Sequence, residues 1–210
     1  MKILLIDDHS LFREGLELLL QRLDPRMQVV HAATLEAGLA HLQATSPPDL
    51  VCTDLNLPGV SGLTALVRVH EVAPDVPVVV LAGGEDPAVV RQAIEQGALG
   101  YIPKSHDSVD LSKALAQVLQ GGVYLPALAL ASEYQEEQQP NFTPRQREVL
   151  LRLVQGKSNK TIARELGISD TTVKTHVAVV LQVLGVHSRA QAVYAVARMG
   201  LRLAELPAVA

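Results

Sequence analysis

Aromatic side chains are nearly missing from this chain of 210 residues, which has four tyrosines, two phenylalanines and no tryptophan. Six rings over that length offer no platform on which successive single-stranded bases would stack. There is one cysteine, Cys52, in the middle of an apolar run. A lone thiol excludes an internal disulfide framework, and its setting marks it as a small core residue. No apolar stretch is long enough to span a bilayer. The start, Met1-Lys2-Ile3, runs into a strand-like segment without a signal-peptide pattern, so the expectation is a cytoplasmic protein with no membrane partner. Internal repeats are absent, and only residues 131–140 approach low complexity.

What the chain does have is an uneven distribution of charge. From Asn141 onward ten Lys/Arg stand against four Asp/Glu, a local balance of +6 within a chain whose net charge is −4. The first 140 residues carry 8 basic and 18 acidic side chains, a balance of −10. Such asymmetry suggests one half built for a polyanion and another that is not. It does not by itself choose between DNA, RNA and an acidic protein.

The halves also differ in periodicity. Through about residue 121, short apolar runs alternate with helical patterns. Strands are expected near residues 2–6, 28–31, 50–54, 77–81 and 99–103, and helices over 10–23, from Thr34, up to 72, over 87–96 and over 107–120. In the first helix, Leu11, Gly15, Leu18, Leu19 and Leu23 are read as one face. Strict βα alternation implies a doubly wound, five-stranded parallel sheet in an α/β domain. Residues 131–140 break all periodicity, as a linker would. Beyond them about four helices fit between residues 144 and 199. The domains are therefore read as 1–121, a linker over 122–140, and a small all-α unit over 141–205.

Two acidic clusters lie 46 positions apart, Asp7-Asp8 closing the first strand and Asp54 closing the third. Open α/β sheets bind ligands at the carboxyl ends of their strands. Carboxylates converging there repel one another, and a hard divalent cation such as Mg²⁺ relieves the repulsion. The fifth strand delivers Lys104 to the same edge. A metal, a carboxylate nucleophile and a lysine together suit the receipt of a phosphoryl group. The histidines at 9, 31, 41, 70, 106 and 187 show no metal-ligand spacing, and His176 reads as a structural helix residue.

Three segments carry a family resemblance: Asp7-Asp8-His9 through Gly15, Asp54-Leu55-Asn56-Leu57-Pro58-Gly59 through Gly62, and Gly97 through Ile102-Pro103-Lys104. Residues 1–121 resemble the receiver domain of two-component response regulators, a flavodoxin-like fold. The resemblance implies that Asp54 accepts a phosphoryl group from a phosphohistidine on a sensor histidine kinase. It further implies that Asp8, Asp54 and the Asn56 carbonyl hold Mg²⁺, that Asp7 acts through a metal-bound water, and that Lys104 pairs with phosphoryl oxygens. One position departs from the family. Where a Thr or Ser is usual at the end of the fourth strand, this chain has Ala82, followed by Gly83-Gly84. The missing hydroxyl forfeits a bond to a charged group worth roughly 1.5–3 kcal/mol. Its partner in the family's switch, an aromatic on the fifth strand, is present as Tyr101.

In the second half, Thr143-Pro144, Ser158 and Ser169-Asp170 are helix starts, and a tight Gly167-Ile168-Ser169 turn joins two helices. That is the helix-turn-helix arrangement. Its second helix would enter the major groove of double-stranded DNA with Thr171, Thr172, Lys174 and Thr175 outward and Val173 and Val177 in the core. Lys160 and Arg164 are placed for phosphates. The segment is similar to the LuxR-type helix-turn-helix, and the whole chain to the NarL/FixJ group. Where that group usually carries polar and basic residues, this chain has Ala178-Val179-Val180 and Gln182-Val183. Val179 and Val183 are read as a contact for a partner subunit or a docked receiver. The last helix, 191–199, corresponds to the family's dimer-forming element.

The expected function is therefore a non-enzymatic transcriptional regulator, acting as a homodimer. An alternative is a regulator that works independently of phosphorylation, partly through protein contacts. A Mg²⁺-dependent phosphatase would want an acid two positions after Asp54, where this chain has Asn56.

Overall fold

Each apolar run of the first half is a strand: β1 (Lys2–Ile6), β2 (Gln28–Ala32), β3 (Leu50–Asp54), β4 (Val78–Ala82) and β5 (Gly100–Pro103). The computed structural model describes residues 1–60, 62–127, 140 and 142–198. All four strand pairings are parallel, in the order β2-β1-β3-β4-β5. β3 and β4 are buried at every residue, as strands covered on both faces must be. Among the described residues, α1 (Ser10–Leu23), α2 (Leu35–Leu42), α3 (Thr64–Val72) and α4 (Pro87–Glu95) connect successive strands, and α5 (Ser108–Leu119) follows β5.

Ile3, Leu5, Leu50, Cys52, Val79, Leu81 and Ile102 form one face of the sheet and pack on Leu16 and Leu20 of α1 and Leu111, Leu115 and Val118 of α5. The opposite face meets α2, α3 and α4. Burial pushes the Cys52 thiol up to about 12, so the residue is an inert core filler. The α1 face differs from the one read in the sequence. Leu16 and Leu20 are the residues buried, with Phe12 and Leu19 packed beside them, whereas Leu11 and Leu18 are 83% and 61% exposed. The helix is leucine-rich on two sides, and the 12/16/20 stripe, with Leu19 at its edge, is the side that meets the sheet.

Among the described residues, four further helices form the second unit: α6 (Pro144–Val154), α7 (Asn159–Leu166), α8 (Asp170–Val183) and α9 (Arg189–Arg198). Their starts follow local chemistry. Thr143 accepts from the Gln146 N–H while Gln146 returns a bond to the Thr143 N–H, and Ser158 and Ser169 cap the next two. Gly167 ends α7 at φ +64°, a left-handed position that favours glycine. Val149, Leu153, Ile162, Val173, Val177 and Val193 fill the centre. Of the expected linker, residues 128–139 lie outside the described residues, as does Met199 of the last helix.

The two units touch. Beyond α5 the chain turns back along β5, where the Tyr101 N–H donates to the Tyr124 carbonyl at 2.9 Å. Gln117 donates its amide to the Val123 carbonyl, and Gly122 lies so close to Gly156 that a Cβ there would sit 2.1 Å from the Gly156 oxygen. On the other side, Gln191 at the start of α9 donates to the Ile94 and Glu95 carbonyls of α4, at 3.3 and 3.2 Å.

Candidate functional site

β1 and β3 are neighbours whose partners lie on opposite sides, so the helices after them diverge and leave a crevice at their carboxyl ends. Asp7, Asp8 and Asp54 stand in that crevice. Asp7 and Asp54 are each 1% exposed, while Asp8 faces solvent. Lys104, following β5, crosses to them: its Nζ is 2.5 Å from Asp54 Oδ2 and 2.6 Å from Asp7 Oδ2. The Phe12 ring lies beneath the ammonium, 4.8 Å away. The Asn56 N–H donates to Asp54 Oδ1 at 3.1 Å, which holds the carboxylate in one orientation. A cavity of about 390 Å³ opens over Asp54, lined by His9, Leu11, Phe12, Asn56, Gly83 and Lys104.

The residues expected at this site are thus together, and one more joins them. His9 Nδ1 lies 2.8 Å from Asp8 Oδ1, 3.1 Å from Asp7 Oδ1 and 4.0 Å from Asp54 Oδ2. Ligand atoms of Asp7, Asp8, His9 and Asp54 all fall within 4.8 Å of one another. The spacing of histidines along the chain did not reveal this, because His9 meets Asp54 through the β1–β3 pairing. Its position directly after Asp8 was the available signal. Three carboxylates against one lysine leave excess negative charge in a mostly buried pocket, a donor set that fits a hard divalent cation.

Ala82 ends β4 in the core, 4% exposed, and its carbonyl accepts from the Lys104 N–H at 2.7 Å. Tyr101 is buried, and its hydroxyl donates to the Gly84 carbonyl at 2.8 Å. Burial, with Asp86, Glu85 and Asp54 nearby, pushes the phenol up to about 12. It therefore stays a neutral donor.

In the second unit, Val173, Val177 and Val180 of α8 are buried while Thr171, Thr172, Lys174 and Thr175 are exposed, as are Lys160 and Arg164 on α7. Lys174 pairs with Asp170 at 3.1 Å, an exposed pair that contributes little. Lys160 and Lys174 face a cleft of about 600 Å³ whose other wall is Leu119, Gln120 and Gly121 at the end of α5. Arg189 at the cleft donates to Asn159 Oδ1 and to the Lys157 carbonyl, and burial holds its guanidinium below the usual arginine value. Val183 is 39% exposed and Val179 half-buried. The receiver side is met by Gln191 and Gly156 instead.

Residues 3–116 match the family described as response regulator receiver domain, and residues 140–196 match bacterial regulatory proteins, luxR family. Among curated relatives, the glycerol metabolism activator of Pseudomonas putida is 38% identical over 205 residues, covering 91% of this chain and 93% of that one. The nitrate/nitrite response regulator protein NarL of Escherichia coli K12 is 37% identical over 199 residues, covering 90% and 92%. A solved LuxR family DNA-binding response regulator from Silicibacter pomeroyi superposes with a TM-score of 0.53 at 32% identity, over 61% of this chain and 98% of that one. The RcsB response regulator in complex with DNA shares the fold, with a TM-score of 0.54 at 23% identity over 94% and 98%.

Proposed function

This chain belongs to the response regulators that join a receiver domain to a LuxR-family DNA-binding domain, and we propose that Asp54 is its phosphoryl acceptor. It is a DNA-binding transcriptional regulator. The observation that carries the assignment of Asp54 is its geometry: a buried carboxylate under an open cavity, with an ammonium at 2.5 Å and two more carboxylates alongside.

The donor is a phosphohistidine on a sensor kinase. An Asp54 oxygen attacks phosphorus as the bond to the imidazole nitrogen breaks, and in-line transfer needs mainly positioning and charge neutralisation. The Asn56 N–H fixes the Asp54 oxygen that does not attack. Lys104 releases the carboxylate and follows the negative charge onto the phosphoryl oxygens, a short move for a flexible side chain. Asp8, Asp54 and the Asn56 carbonyl are the ligands we assign to Mg²⁺, with Asp7 one water removed. Bound there, the ion would offset the charge that accumulates on the transferring group.

Downstream, the cleft sets Leu119, Gln120 and Gly121 at the end of α5 opposite Lys160 and Lys174, which supports a resting form in which the receiver obstructs the approach of duplex DNA to these lysines. Phosphorylation then favours release of the DNA-binding domain and its pairing as a homodimer on two half-sites. The test is incorporation of labelled phosphate from acetyl phosphate into the full-length protein. Label is expected in the wild type with Mg²⁺, and none in Asp54→Ala or after chelation. Equal labelling of Asp54→Ala would overturn the assignment.

A further inference from the structure

The recognition face of α8 is poor in the groups that usually read bases. Its exposed residues in the first three turns are Thr171, Thr172, Lys174, Thr175 and Ala178. Arginine, the usual bidentate partner of guanine, is absent from them, and so are asparagine and glutamine, the bidentate partners of adenine. Two of the three threonine hydroxyls are already engaged. Thr172 Oγ1 lies 2.8 Å from the Ser169 hydroxyl, and Thr175 Oγ1 donates to the Thr171 carbonyl at 3.2 Å. With its proton committed to the helix backbone, Thr175 Oγ1 can only accept, and the exposed remainder of that side chain is its methyl group. Ala178 adds another methyl. Thr171, Thr175 and Ala178 stand at i, i+4 and i+7, one stripe along the helix. The stripe is roughly 10 Å long, the length of about three base pairs.

Resting on the reading of this unit as a duplex-DNA binder, we infer that Thr171, Thr175 and Ala178 select A·T pairs by packing their methyl groups against the C5-methyl of thymine. In the major groove that methyl is the one apolar feature a base pair presents, and a threonine oxygen restricted to accepting suits the adenine N6 amino group of the same pair. Lys174 supplies the exception. Its pairing with Asp170 is exposed and easily exchanged, so it can turn to the O6 and N7 of one guanine. The half-site is a short A·T run bordered by a single G·C pair.

The experiment selects duplexes from a random pool with the full-length protein, treated with acetyl phosphate and Mg²⁺. It then compares binding to the selected duplex with binding to the same duplex carrying dU in place of dT. The two differ only by the thymine methyls. Each contacted thymine is expected to contribute about fourfold in affinity, the ratio that burial of one carbon group supplies. In Thr175→Ser, which keeps the hydroxyl and its bond to Thr171, and in Ala178→Gly, the ratio between dT and dU duplexes should shrink by about that factor. A substitution that only loosened α8 would weaken both duplexes and leave the ratio unchanged. Equal affinity of the wild type for both duplexes, or a selected motif rich in G·C, overturns the inference while leaving DNA binding intact. Enrichment of no duplex at all would overturn the underlying reading and the inference with it.

Discussion

Ala82 and Tyr101 bring two consequences of one missing oxygen together. A phosphoryl group on Asp54 would have no hydroxyl to bond at the end of β4, and Tyr101 has settled its own hydroxyl on the Gly84 carbonyl. Restoring the oxygen should therefore strengthen the signal. In Ala82→Thr, phosphorylated protein should persist longer, and the ratio of phosphorylated to unphosphorylated DNA affinity should rise several-fold, which binding titrations with and without acetyl phosphate would reveal. The added atoms enter a packed position, so a stability loss of roughly 1–3 kcal/mol should accompany the gain, read from denaturant unfolding. An unchanged affinity ratio would mean that the β4 hydroxyl is not what limits the readout. At this scale most of the cluster proposed as the acceptor site was legible in the sequence, because Asp7, Asp8, Asp54 and Lys104 each close a recognisable strand. His9 was not, since its approach to Asp54 depends on which strands are neighbours in space.

Helix α9 offers a cleaner separation of roles. The Gln191 Oε1 accepts from the N–H groups of His187 and Ser188, which closes the start of its own helix, while its Nε2 donates to the last carbonyls of α4. Gln191→Glu keeps the first set of bonds, and a carboxylate is welcome at a helix N-terminus. It loses both donors to α4 and sets a negative charge against that helix's negative end. The DNA-binding domain should remain folded while amide exchange around residues 94–97 accelerates and the unphosphorylated protein binds DNA more tightly. Protection at 94–97 equal to the wild type would rule out Gln191 as the link. Helix positions and caps could be read from Thr34, Thr143, Ser158 and Ser169, which report on the backbone next to them. The buried face of α1 could not, because leucines on both sides satisfy the same periodicity and only the sheet decides which side is inside.

For the molecule as a whole, the contact between the domains is the feature least visible in the sequence. It depends on Gly122 and Gly156, two small residues far apart in the chain whose value lies in what they omit. A Cβ on Gly122 would meet the Gly156 and Gln117 carbonyl oxygens at 2.1 and 2.8 Å, both backbone atoms that cannot step aside. Gly122→Ala should push the domains apart without unfolding either. Small-angle scattering should show a larger radius of gyration in the unphosphorylated variant, and DNA binding should depend less on phosphodonor. An unaltered scattering profile would mean that the contact is not what holds the domains together. The charge asymmetry, by contrast, was plain from counting, and it follows the division between the receiver domain and the DNA-binding domain.

The return of the chain along β5 has a practical consequence for anyone who would cut the protein in two. A receiver fragment ending at the close of α5 would leave the Tyr101 amide and its outermost strand bare, inviting aggregation by edge-to-edge pairing. One extended through Leu125 would carry its own seal.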